Sequence, residues 1–337
     1  MANNRLTIKE IAELAGVSPT AVSFAMNDKG GISDATKERI NEVIRNTGFQ
    51  PNSASRRLTL RKTFNIALIY PSAASPFSDY FYHEIADGVT EVLTEHGYNV
   101  VLAPVSNSEK PDILKRHDAD GAIIFLELSK GVLEALEQDD IPYVLVDPQN
   151  LDETFTYVGV NCEESIFSAI MYLVGKGHTK IGFGGSDRVP SYFLRCFTGY
   201  QRALTEMDLP LFADWILRGI NDAESALGCL QSIVSGKNAI SAICCMDDMC
   251  AIYAIEAAEK LGVTVPDDLS FISIDDIVLS RYVKPKLTTV SYMKSDMGAK
   301  AAHMLLRKMR GEETQSVIVQ SDKIIERDSV FDLTKVK

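Results

Sequence analysis

The chain lacks several features that would place it in familiar classes. Its six cysteines (Cys162, Cys196, Cys229, Cys244, Cys245, Cys250) form no C-x-x-C pair and its five histidines are scattered. Neither zinc nor a disulfide framework is expected, and the thiols read as reduced core residues. No apolar stretch reaches the roughly eighteen residues that span a bilayer, and no amino-terminal apolar segment directs export, so the expected location is cytoplasmic with no membrane partner. The run Ile181-Gly182-Phe183-Gly184-Gly185-Ser186 is glycine-rich but lacks the Lys-Ser/Thr ending of a phosphate loop. Paired aspartates occur, yet no nucleophile or metal cluster stands beside them at a recognisable spacing. The expectation is therefore a chain that is not an enzyme, with no catalytic residue, no metal and no cofactor.

Its charge is unevenly placed. Residues 1–62 hold ten Lys/Arg against six Asp/Glu, a net of +4, whereas the remainder holds 24 against 40, a net of −16. A basic head on an acidic body is the footprint of a chain that meets a polyanion with one end.

Start and stop signals divide that head into three short helices. Thr7 and Glu10 have the spacing of a capping box, Ile8, Ile11, Ala12 and Ala15 form one apolar stripe, and Gly16 ends the helix. Ser18 is placed to cap a second helix with Pro19 in its first turn, where no amide proton is needed. Val22 and Met26 face inward. A third helix starts near Ser33, buries Ile40, Val43 and Ile44, and stops at Gly48. Two helices joined by a tight turn can lay the second in a DNA major groove, with Pro19, Thr20, Ser23 and Phe24 toward the base edges. Any small three-helix bundle shows similar caps. The basic balance and the next segment, Gln50-Pro51-Asn52-Ser53-Ala54-Ser55-Arg56-Arg57-Leu58, favour DNA over that plainer reading. Two helical turns alone are marginal in water, so this segment is expected to order only with DNA and a second copy of the chain. Leu58 is then the apolar wedge of a minor-groove contact, with Arg56 and Arg57 near the phosphates.

Together, T-I-K-E-I-A-E-L-A-G-V-S-P-T-A-V-S-F-A-M-N, G-I-S-D-A-T-K-E-R-I and G-F-Q-P-N-S-A-S-R-R-L closely resemble the headpiece of lactose repressor/galactose repressor family regulators. The resemblance continues through V-P-D-D-L-S-F-I-S-I-D-D, P-K-L-T-T-V-S-Y, M-G-A-K-A-A-H-M-L-L and I-I-E-R-D-S-V, and so spans residues 6–330. It implies a repressor binding a pseudo-palindromic double-stranded DNA operator as a homodimer, controlled by a small-molecule effector, with a carbohydrate the commonest class. It also implies operator contacts at Thr7, Ser18, Pro19, Thr20, Ser23, Phe24, Asn27, Asn52, Ser55, Arg56, Arg57 and Leu58. The expected fold is a small all-α helix-turn-helix headpiece (residues 1–50), a hinge helix and linker (51–63) and an α/β two-lobed periplasmic-binding-protein-like effector domain with largely parallel sheets (64–337). Its N-lobe takes residues 64–159 and 290–319, and its C-lobe 160–289 and 320–331.

The residues of the body support this without the family. From residue 64 apolar runs alternate with amphipathic helices, and about 270 residues exceed one comfortable core. Strands are expected at 65–70, 99–104, 121–125, 142–147, 180–184, 241–245 and 269–274. Carboxylates just beyond strand ends accept hydrogen bonds from hydroxyl groups, as sugar binding requires. Asp147, the pair Asp247 and Asp248, and the pair Asp275 and Asp276 occupy such places. By resemblance Asp147, Asp247, Asp275 and Tyr292 contact the effector, and the loop 75–82, with Ser75, Tyr80 and Phe81, contributes from the other lobe. For Asp248 and Asp276, helix capping or local pairing outweighs ligand contact. Two departures from the family stand out. Many members carry Arg three residues before the glycine of a helix-opening R-x-x-G, whereas here Cys196 stands there and Arg195 comes one place early. Asn221 replaces an aromatic platform. A transporter's solute-binding component would explain the body but not a basic headpiece; whether the effector releases or recruits DNA stays open.

Overall fold

The computed structural model describes residues 6–26, 30–49, 62–71, 74–105, 110–126, 128–148, 154–234, 240–321 and 323–335. The chain divides into two units, Met1–Phe64 and Asn65–Lys337.

The first unit holds helices α1 (Ile8–Ala15), α2 (Pro19–Met26) and α3 (Asp34–Thr47). Their ends are set by local chemistry. The Thr7 amide donates to Glu10 Oε2 at 2.6 Å while the Glu10 amide donates to Thr7 Oγ1 at 3.4 Å, so both otherwise free donors are satisfied. Gly16 (φ +62°) and Gly48 (φ +61°) close α1 and α3 in the left-handed region that glycine enters without a Cβ penalty. Ser18 Oγ accepts from the Ala21 amide and Ser33 Oγ from that of Thr36. Ile11, Ala12, Ala15, Val22, Ala25, Ile40 and Phe49 form the core. Ala25 takes the deep position near the end of α2, and Met26, Val43 and Ile44 are only partly buried around it.

The second unit is built on two six-stranded sheets among the described residues. The first takes β1 (Asn65–Pro71), β2 (Asn99–Val105), β3 (Gly121–Phe125), β4 (Tyr143–Val146), β5 (Tyr157–Val160) and β11 (Val317–Val319), in the order β2-β1-β3-β4-β5-β11 and parallel throughout. The second takes β6 (Ile181–Gly185), β7 (Ile216–Arg218), β8 (Ala242–Cys245), β9 (Ser270–Asp275), β10 (Thr288–Ser291) and β12 (Lys323–Ile325), in the order β7-β6-β8-β9-β10-β12. Only its β10–β12 pair is antiparallel. The helices are α4 (Tyr80–Glu95), α5 (Asp112–Lys115), α6 (Lys130–Gln138), α7 (Cys162–Gly175), α8 (Pro190–Glu206), α9 (Ala223–Val234), α10 (Asp248–Lys260) and α11 (Lys294–Lys308).

Strand β1 shows why the apolar runs are continuous rather than alternating. Ile66, Leu68 and Tyr70 join one core cluster and Ala67 and Ile69 another, on the opposite face of the sheet. Burying one such aliphatic side chain is worth roughly 1.5–3 kcal/mol, against about 1–2 kcal/mol per residue for ordering backbone. Two covered faces keep the parallel strands on the favourable side of that balance.

Helix α11 follows a strand of the second sheet but packs on α4, which belongs to the first. A Cβ on Gly88 of α4 would lie 1.9 Å from the Ser295 carbonyl oxygen, and one on Gly298 of α11 would lie 2.0 Å from that of Ile85. The glycine of the M-G-A-K-A-A run is therefore required by backbone contact. Gly199 does the same between α8 and α7, 2.1 Å from the Glu163 carbonyl oxygen. Among the described residues, no helix is long and apolar enough to cross a membrane.

Candidate functional site

Both sheets repeat one strand order, in which the chain reverses direction between β1 and β3 and again between β6 and β8. Crevices open at such reversal points, beyond the carboxyl ends of the strands. A cavity of about 450 Å³ lies there, lined from one sheet by residues following β1, β3 and β4 and from the other by residues following β6, β7, β8 and β9. That volume is in the range of small-metabolite sites.

From the first sheet come Asp79, Tyr80, Phe81, Tyr82 and Asp147. Asp79 caps α4, accepting from the amides of Phe81 (2.9 Å) and Tyr82 (3.4 Å). Burial, outweighing those two bonds and aided by the nearby charges of Asp247 and Asp147, pushes its carboxyl up to about 6. Asp147 turns out of β4 with φ +54° and accepts from the Tyr82 hydroxyl at 2.8 Å. Burial raises its pKa, opposed by that hydrogen bond and by the charge of Arg195.

From the second sheet come Arg188, Tyr192, Arg195, Asn221, Asp247, Tyr253 and Asp275. Arg195 Nη2 donates to the Val160 carbonyl at 2.8 Å, tying α8 to the end of β5 where the chain leaves the first sheet. Its neighbour Cys196 is fully buried and does not line the cavity. Asn221 Nδ2 donates to Asp187 at 2.8 Å, and its side-chain oxygen accepts from Ser186. Asp247 caps α10 through the Cys250 amide at 2.7 Å. Asp275 ends β9 with φ +117°, a conformation that costs a non-glycine residue of order 1–3 kcal/mol and persists only when its surroundings enforce it. Lys294 supplies that enforcement. Its ammonium donates to the Asp275 carbonyl at 2.6 Å and the Asp276 carbonyl at 3.0 Å, and lies 3.4 Å from Glu84 of α4. Burial, then the charges of Asp248 and Asp247, drive the Asp275 carboxyl well above the ordinary range.

The structure thus brings together Tyr80, Phe81, Asp147, Arg195, Asn221, Asp247 and Asp275. It does not bring Ser75 or Tyr292 to the cavity. Ser75 closes the turn before α4, its hydroxyl accepting from the Phe77 amide and its carbonyl from those of Ser78 and Asp79. Tyr292 is buried, and its hydroxyl donates to Ser165 of α7 at 2.6 Å. Asp248 and Asp276 are structural. Asp248 accepts from Ser273, Thr289 and the Ile277 amide, while Asp276 pairs with Arg327 and Arg281. Residues not singled out from sequence also line the cavity: Arg188, Tyr192 and Tyr253 by their side of the fold, and Asp79 and Tyr82 within the anticipated loop. Only Asp79 carried a signal, as an Asp directly before a helical run. Among the described residues no cluster of three or more His, Cys, Asp or Glu could hold a metal ion, and all six cysteines are free.

In the headpiece, Thr7, Ser18, Pro19 and Thr20 are exposed, whereas Ser23 and Phe24 are partly buried. The Phe24 ring lies against Gly31, about 3.2 Å from where a Cβ would stand, so part of it is occupied in packing. Asn27, Asn52, Ser55, Arg56, Arg57 and Leu58 lie outside the described residues.

Known proteins match both units. Residues 7–52 match the bacterial regulatory proteins of the lacI family, and residues 170–330 match the periplasmic binding protein-like domain. Catabolite control protein A of Priestia megaterium is 30% identical over 326 residues, covering 94% of this chain and 96% of the relative. The HTH-type transcriptional repressor PurR of Vibrio cholerae is 28% identical over 337 residues, covering 98% and 99%. In fold, the chain matches the lac repressor dimer bound to operator and the anti-inducer ONPF (TM-score 0.77, 20% identity, 97% of this chain and 100% of that one). It also matches the transcriptional regulator CelR in its cellobiose complex (TM-score 0.69, 24% identity, 96% and 100%). With a helix-turn-helix headpiece, a two-lobed α/β body and relatives matched almost end to end, this chain belongs to the lacI family of DNA-binding transcriptional regulators, proteins that read operators under effector control and catalyse no reaction.

Proposed function

We propose that the cavity between the two sheets is the effector site of this repressor, and that Asp147, Arg195, Asn221, Asp247 and Asp275, with Tyr80 and Phe81, hold a small polar metabolite of sugar size. One observation carries this reading: carboxylates from strand ends of both sheets face the same cavity. A ligand bridging them favours one angle between the lobes, and only such differential affinity is needed to alter the hold on DNA. The cellobiose complex of CelR, a structural neighbour, supports a carbohydrate class. On the DNA side, α2 enters the major groove of each half of a pseudo-palindromic operator, with Ser18, Pro19 and Thr20 outward. The chain acts as a homodimer, as the lac repressor neighbour does, in the cytoplasm.

Asp275→Ala tests the site. The variant is expected to bind operator as tightly as the parent in the absence of effector and to lose the response to it. The parent's effector is first found by thermal shift against sugars, sugar phosphates and nucleobases, since a ligand of the folded form raises the melting temperature. Unchanged ligand binding by the variant removes Asp275 from the site.

A further inference from the structure

The chain crosses between its two sheets more than once, and two of these crossovers are hydrogen-bonded to each other. In the first, it leaves β5 of the first sheet at Val160 and enters α7, which packs on β8, β9 and β10 of the second. In the other, it leaves β10 at Ser291 and returns through Tyr292 and Met293 to α11, which packs on β3, β4 and β5. Tyr292 is 3% exposed, and Ser165, near the start of α7, is fully buried. The Tyr292 hydroxyl donates to Ser165 Oγ at 2.6 Å. Ser165 Oγ donates in turn, at 3.1 Å, to the carbonyl of Asn161, the residue between β5 and α7. A single serine hydroxyl, accepting from one crossover and donating to the other, thus connects the two.

This line differs from the other bonds near the crossovers. Arg195 and Lys294 each reach from a helix of one lobe to a strand end of the other, at Val160 and at Asp275. They tie lobe to lobe, whereas Tyr292 ties crossover to crossover. Its members are out of reach of water, so a hydroxyl that loses its partner there finds no replacement. Burial also drives the Tyr292 phenol far above its ordinary pKa, and the proton it donates is retained. A relative shift of about 1 Å between the crossovers takes the 2.6 Å bond beyond hydrogen-bonding distance. Rotation of one lobe on the other twists the crossovers, so the line distinguishes one lobe arrangement from another. The family resemblance implies an effector contact for Tyr292, but here its hydroxyl is turned into the joint between the lobes.

We propose that Tyr292 is a positioning residue of the allosteric transition: with Ser165 and Asn161 it yokes the two crossovers, and the yoke biases the lobes toward the arrangement described here. The proposal rests on the reading that an effector acts by changing the angle between the lobes. Tyr292 touches neither DNA nor effector and influences both through that angle.

The test uses the full chain and a duplex that the parent protein selects from a random pool. Tyr292→Phe removes the donor and keeps the ring, and Ser165→Ala removes the hydroxyl between the crossovers. Duplex affinity is measured without any small molecule, and again across a titration of the sugar, sugar phosphate or nucleobase that raises the parent's melting temperature most. Loss of one buried hydrogen bond shifts the balance of arrangements by about two- to tenfold. A change of that size is expected in the duplex affinity, in the midpoint for the compound, or divided between them. The double variant is expected to shift no further than the larger of the two single ones, because each breaks the same line. A lower melting temperature with both binding measurements unchanged means that the bond only holds the fold, and overturns the proposal. Additive shifts overturn the yoke. A screen in which no compound acts counts against the cavity as effector site and leaves the duplex measurement to decide on Tyr292.

Discussion

The ammonium of Lys294 holds the backbone of Asp275 in place, at 2.6 Å from its carbonyl oxygen, and so a residue on a helix packed against the first sheet sets the conformation of a cavity residue on the second. Replacing Lys294 with Met strips donors from two buried carbonyls and leaves Glu84 without its cation. We expect a loss of about 2–4 kcal/mol in urea unfolding. A crystal structure of the variant should show Asp275 relaxed from φ +117° with its carboxylate withdrawn from the cavity. Lys294→Arg, retaining the charge, should recover part of both; an unmoved Asp275 in the Met variant would refute the anchoring role.

Gly88→Ala drives a methyl group to within 1.9 Å of the Ser295 carbonyl oxygen unless α4 and α11 separate. The opposing atom is backbone and cannot swing aside. Overpacking of this kind costs about 1–3 kcal/mol or more, so the midpoint of chemical denaturation should fall. The same change at the exposed, uncrowded Gly131 serves as the control.

Asp79→Asn should alter stability in a pH-dependent way. Because burial raises the folded pKa from 3.8 to about 6, the contribution of Asp79 is full below pH 3.8 and is lost as pH rises through about 6. Asn caps helices as well as Asp and carries no charge to bury. The variant is expected to be more stable than the parent by about 1–2 kcal/mol near pH 8 and to show no advantage near pH 4, as read from melting curves. A constant difference across that range would contradict the buried-charge origin.

Leu58→Ala addresses the segment beyond the headpiece. If Leu58 is a minor-groove wedge, its loss should weaken specific operator binding by about tenfold or more, because the kink is no longer supported. Nonspecific, salt-sensitive attachment should stay the same, since its phosphate contacts remain. Equal weakening of both modes would argue against the wedge.

Where the sequence was readable, the signals were short-range. Thr7, Gly16, Ser33 and Gly48 mark helix ends because caps involve partners three or four residues away. Asp147, Asp247 and Asp275 could be placed at a cleft because each follows an apolar strand. Tyr292 was implied by the family resemblance alone, and its hydroxyl donates to Ser165, a hydrogen-bond partner 127 positions away.

By itself, then, the amino-acid order determined the class of the molecule: a capped helical reader of net charge +4 joined to a two-lobed α/β body. Charge sums, caps and apolar runs are local properties, and they hold whichever strand lies beside which. Only the tertiary structure decided which of the cavity carboxylates already had protein donors. That depends on groups such as Tyr82 and Lys294, delivered by helices whose packing follows from sheet order and glycine contacts. Hydrogen-bond satisfaction of a buried group is a property of its surroundings, and those surroundings are assembled from residues far apart along the chain.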